Sequence, residues 1–114
     1  MAKFERELQG NFDSFLENLH KEILSGSVTA SFQEGSDHTL GDTRLAVRVY
    51  ERYSAMGKAR LSVNITLIGK GEQLFLSAIA SGGSGAMFFK INTLGENNFL
   101  DKVIAIVKNF ERNN

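Results

Sequence analysis

The sequence predicts an α+β fold: a two-layer domain built on a single antiparallel sheet, in the order β-α-β-β-β-β-β-α, with both helices on one face. Three observations carry this expectation. A segment near each end places apolar residues at helical spacing. The long stretch between them alternates with period two. The connections within that stretch are too short for parallel crossovers, so consecutive strands should pair antiparallel.

Residues 2–8 open the chain as a strand, with Ala2, Phe4 and Leu8 on one side and Lys3, Glu5 and Glu7 on the other; Arg6 breaks the apolar side. Gly10 interrupts the pattern, and Asn11 is a good N-cap with Asp13 favourably placed in the first turn. Phe12, Phe15, Leu16, Leu19 and Ile23 form one apolar stripe, so a helix spans 11–24, ended by Gly26 in a left-handed cap. His20 falls on its polar face.

Val28, Ala30 and Phe32 begin a strand, and the polar run Glu34–Asp42 reads as the longest loop. Leu45, Val47 and Val49 alternate with Arg44, Ala46, Arg48, Tyr50 and Arg52. Leu61, Val63, Ile65 and Leu67 alternate with Ser62, Asn64 and Thr66. Gly69–Glu72 suits a tight hairpin. Leu74, Leu76, Ala78 and Ala80 lie opposite Phe75, Ser77, Ile79 and Ser81, and a last strand covers Met87–Ile91. Thr93–Glu96 then matches a capping box, leading into a helix with the stripe Phe99, Leu100, Val103, Ile106, Val107 and Phe110. Because both helices are apolar on one side and the strands have a polar second face, burial is best served by stacking both helices on one sheet face.

Composition narrows the function classes. The 114 residues are expected to form one domain, 1–114, and 42% hydrophobic against 23% charged is an ordinary globular balance. The chain has no cysteine, which removes disulfides, thiolate metal sites and cysteine nucleophiles. Lys+Arg and Asp+Glu number 13 each, so there is no overall field to gather nucleic acid or an anionic membrane. No segment reaches the ~20 apolar residues of a membrane span, and the N-terminus lacks a signal-peptide pattern, so the expected location is cytoplasmic. With no proline and 11 glycines, glycine has to make the turns.

Four features are candidates for function. The stripe Arg44, Arg48, Tyr50 and Arg52, placed on the polar side of its strand beside Asn64, could clamp an anion or face a partner; the plainer reading is a solvated face of ion-paired arginines. Too few exposed aromatics accompany it for an RNA-binding sheet, so no nucleic acid is expected. The run Ser81-Gly82-Gly83-Ser84-Gly85-Ala86 is rich enough in glycine to approach a phosphate, but it lacks the lysine ending and precedes a strand, which favours a flexible connection or a pocket rim. Asp37, His38 and Asp42 in the loop are too few ligands for a metal, so none is expected, and a solvated turn is the plainer reading. Finally, Phe75, Ile79, Ile68 and Phe88 fall on the supposedly wet parity. They mark an exposed apolar patch, a sheet curled around the C-terminal helix as in helix-grip folds, or residues covered by strand ends and edge loops.

Two stretches, Ala46-Val47-Arg48-Val49-Tyr50-Glu51-Arg52-Tyr53-Ser54 and Phe75 through Thr93, resemble a family of small bacterial proteins known only as a domain of unknown function. The likeness extends to the Gly10–Phe12 helix entry and the Phe99–Val103 helix start. It implies a single-domain cytosolic bacterial protein with no assigned activity, and it supplies no catalytic residue. The leading expectation is a non-enzymatic binding module, most plausibly a homodimer using either the Arg48/Tyr50/Asn64 face or the Phe75/Ile79/Phe88 patch. The alternative is a small-molecule binder with an apolar cleft between the sheet and the C-terminal helix, gated by 81–86. No cofactor is expected, and an enzyme built on Arg48, Tyr50, His38 or Ser84 is the third choice.

Overall fold

A computed structural model describes residues 1–53, 60–82 and 99–113. The elements are β1 (Ala2–Gln9), α1 (Phe12–Ser25), β2 (Ser31–Leu40), β3 (Thr43–Tyr53), β4 (Arg60–Lys70), β5 (Gln73–Gly82) and α2 (Phe99–Arg112). The five strands form one sheet in the order β1-β5-β4-β3-β2, every neighbouring pair antiparallel. The α+β class and the expected element order hold through β5. The strand expected over 87–91, the Thr93–Glu96 cap and the residues Gly83, Ser84, Gly85 and Phe88 lie outside the described residues.

Local chemistry sets the elements as expected at several points. Asn11 caps α1 by accepting a hydrogen bond on Oδ1 from the Ser14 amide at 2.9 Å. Phe12, Phe15, Leu19 and Ile23 are the buried stripe of α1, and Phe99, Leu100, Val103, Ile106 and Val107 that of α2. The two helices meet through Phe15 and Phe110, edge to face with centroids 5.0 Å apart. Arg6, the apparent flaw in β1, points to the helix layer and grips Glu111 of α2 at 2.9 Å and 3.1 Å. Gly26 is right-handed rather than left-handed (φ −83°), and its carbonyl accepts a bond from Lys102 Nζ at 2.8 Å.

β2 departs from expectation. The polar run 34–42 is strand up to Leu40, and the true turn is Gly41-Asp42, between the paired Leu40 and Thr43. Gly41 has φ +59°, and Gly71 repeats this at +61° in the β4–β5 turn. A left-handed first residue in a two-residue loop is the type II′ arrangement that glycine makes without strain. β2 is an edge strand exposed along nearly its whole length, meeting the helix layer through Phe32 on His20, so no apolar alternation was needed to build it. Val28, expected as a strand residue, is fully exposed in the preceding turn.

The core lies between the helices and one face of the sheet. Leu61, Val63, Ile65 and Leu67 of β4 and Leu74, Leu76, Ala78 and Ala80 of β5 join the helix stripes in one buried cluster. Gly69 extends that face, and a Cβ there would come within 2.5 Å of the Phe12 ring, so glycine lets α1 sit down on the sheet. Among the described residues no helix is long and apolar enough to cross a membrane.

Candidate functional site

The register of β3 on β4 decides which side chains share a face. Arg52, Tyr50, Arg48, Ala46 and Arg44 stand beside Leu61, Val63, Ile65, Leu67 and Gly69, so the arginine stripe faces the helices, not solvent. Leu45, Val47 and Val49, expected in the core, stand beside Ile68, Thr66 and Asn64 on the open face. The placement of Arg48 and Tyr50 with Asn64 on one surface is therefore overturned. The composition of β3 misleads because arginine has a long apolar stem, and a paired guanidinium covers core margin as a hydrocarbon does.

On the helix side the arginines are already occupied. Arg44 Nη1 lies 2.9 Å from Asp13 Oδ2 and sits over the Phe12 ring, 4.3 Å from its centroid. Their hydrogen bond holds the Asp13 carboxyl below its ordinary range. Arg48 directs one terminal nitrogen to both Asp37 oxygens, at 3.0 Å and 3.3 Å, and the other to the Val47 carbonyl at 2.9 Å. Arg52 stacks 5.0 Å from the Phe99 centroid, where burial lowers its pKa. Tyr50 is wholly buried, its hydroxyl 2.8 Å from Nδ1 of His20, with Phe32 packed against both rings. Burial pushes the Tyr50 hydroxyl up to about 12, against a smaller opposing influence from Arg48. His20, read from sequence as a solvated residue, is thus the polar partner that Tyr50 requires. A phenol held that far from ionisation is no base at neutral pH, and guanidiniums bound to carboxylates are not an open anion clamp.

The remaining candidates separate as well. Asp37 and His38 are strand neighbours on opposite faces: Asp37 pairs across from Ala46 on the helix side, His38 from Leu45 on the open side. Among the described residues no group of three or more His, Asp or Glu could hold a metal. Gly82 has φ +99°, and a Cβ there would lie 2.6 Å from the Arg60 carbonyl oxygen, so its glycine is accounted for by backbone packing. Ser81 lies on the open face, its Oγ 3.3 Å from that of Ser62.

The open face is where the structure brings sequence candidates together. Reading across β1, β5, β4, β3 and β2, one row is Glu7, Phe75, Ile68, Leu45 and His38. The next is Glu5, Ser77, Thr66, Val47 and Ser36, and the third is Lys3, Ile79, Asn64, Val49 and Glu34. Ile68 and Ile79, in the first and third rows, are 38% and 37% exposed, too much for core. Phe75, Leu45, Val47 and Val49 are half-buried around them. No described helix covers this side. A shallow depression of about 480 Å³ opens at its β4–β5 end over Ile68 and Phe75, edged by Glu7, Gln9, Lys70 and Gln73. Phe75, Ile79 and Ile68 were visible in the sequence as apolar residues of the wrong parity. Leu45, Val47 and Val49 were missed, and the one signal for them was Tyr50, a large residue on the alternate parity.

Fold and site together define a class: a two-layer α+β protein with one sheet face closed by the helices and, among the described residues, one face left uncovered and no assembled catalytic constellation. Within that class the chain belongs to the family of unknown function DUF6054, whose model matches residues 1–111. No curated protein matches it.

Proposed function

We propose that this protein is a non-enzymatic binding module that works as a homodimer, a second copy seating its open sheet face on the first. The observation that carries this reading is the set Phe75, Ile68, Leu45, Val47, Ile79 and Val49 on the three inner strands, interrupted by Ser77, Thr66 and Asn64 and bounded by charge on the outer strands. Two antiparallel sheets pack face to face about 10 Å apart, and such a band is the surface that packing consumes. Five strands at about 4.8 Å and five side-chain rows at about 6.8 Å give a footprint of roughly 800 Å² per copy. Doubled, about 1,600 Å² is the usual size of a stable interface.

The absence of native cysteine supplies the test. Thr66 lies on the central strand in the middle row, so Thr66→Cys should face its own counterpart and be joined into dimers by a short bismaleimide at micromolar protein. Val28→Cys, fully exposed in the turn between α1 and β2, serves as control. Equal, slight crosslinking of both variants would end the proposal.

A further inference from the structure

The open face also specifies how the two copies meet, an inference that rests on the homodimer reading. Face-to-face packing admits two aligned two-fold arrangements. With the axis along the strands, each row meets the same row of the partner and the strand order reverses. With the axis across the strands, each strand meets itself and the row order reverses.

We infer that the axis runs along the strands, above β4. In that arrangement Phe75 meets Leu45 of the partner subunit, Ile79 meets Val49 of the partner subunit, and Ile68 meets its own counterpart. Lys3, on β1, meets Glu34 of the partner subunit on β2, and Glu7 meets His38 of the partner subunit. The outer strands are thereby complementary: each face carries both halves of the pairing, and symmetry makes each pair twice. With the axis across the strands, Lys3 would meet Glu7 of the partner subunit and Glu34 would meet His38 of the partner subunit, so the charged rims match in either arrangement. The difference lies further in: Ile68 would oppose Asn64 of the partner subunit at two places. Glu5 would oppose its own counterpart, placing like charges together without a compensating cation in that row. Glu5 is engaged within its own chain, accepting from Ser77 at 3.0 Å, and lies 4.0 Å from Lys3. Opposite Ser36 of the partner subunit it meets no carboxylate.

Charge reversal with rescue tests the orientation. Lys3 and Glu34 are both exposed at the sheet rim, so substitution there leaves the core intact. Lys3→Glu alone should weaken dimerisation about tenfold by opposing carboxylates twice, and Glu34→Lys alone should do likewise. The double variant Lys3→Glu/Glu34→Lys should return to within about threefold of the wild-type Kd. Rescue of Lys3→Glu by Glu7→Lys instead assigns the axis across the strands and overturns the inference. A dimer indifferent to all four variants overturns the orientation while leaving the homodimer reading in place. A monomeric wild type overturns both.

Discussion

The two faces of the sheet are made by the same three strands and differ in what closes them. On the helix side Val63, Ile65, Leu67, Leu76 and Ala78 are completely buried, and polar groups among them are matched to partners, Tyr50 to His20 and Arg48 to Asp37. On the open side residues of the same types, Val47, Val49, Ile68 and Ile79, stay partly wet. Leu67 and Ile68 are chain neighbours, so neither propensity nor position in the fold separates them. The difference lies in what is packed above. Hydrophobic content alone therefore identifies a strand but not its working surface, and an apolar set left over after the core is filled is the more informative one.

The largest expected effect breaks the comparison at that neighbouring pair. Leu67→Ala leaves a cavity under the helices and should cost about 2–5 kcal/mol in urea unfolding at every protein concentration. Ile68→Ala should lower the unfolding midpoint only where the dimer is populated, because its contribution is coupled to association. Equal, concentration-independent losses would show the two faces to be alike. Next in size, Gly69→Ala forces a methyl against the Phe12 ring and should destabilise by about 1–3 kcal/mol. A thermally neutral Gly69→Ala would mean that α1 does not rest on β4.

Tyr50→Phe removes the bond to His20 and should cost about 1 kcal/mol at neutral pH. Its alkaline signature is sharper. The folded-state hydroxyl titrates above its unfolded value of 10.0, so the neutral form is favoured by folding. That stability is fully present below pH 10 and is lost as pH rises toward about 12, and Tyr50→Phe should flatten this part of the profile. The smallest effect belongs to the exposed Asp13–Arg44 pair. Arg44 depresses the Asp13 pKa below 3.8, so the pair's contribution is present above that value and disappears as pH falls through the folded pKa. In NMR titration Arg44→Ala should move Asp13 upward, with little change in melting temperature.

The helices, the N-cap of α1 and the inward residues of β4 and β5 were legible because each depends on local pattern: apolar spacing, an asparagine before the first turn, strict alternation. β2 was not, since an edge strand left exposed along most of its length carries no periodic signature. The faces of β3 were exchanged because their assignment depends on the β4 register and on Asp13, His20 and Asp37, which are distant or unpaired in the sequence until the chain folds. The surface patch was half legible for the same reason. Phe75 and Ile79 stood out against a strand whose inward side was clear, whereas Leu45, Val47 and Val49 resembled core.

Light scattering coupled to size exclusion, at tens of micromolar protein, tests the central claim most directly by comparing wild type with Ile68→Asp. The chain mass is 12.6 kDa. Wild type should run at twice that mass, and Ile68→Asp should run at 12.6 kDa with an unchanged circular dichroism spectrum. A wild type that is monomeric at this concentration, or an Ile68→Asp variant that remains a dimer, contradicts the account.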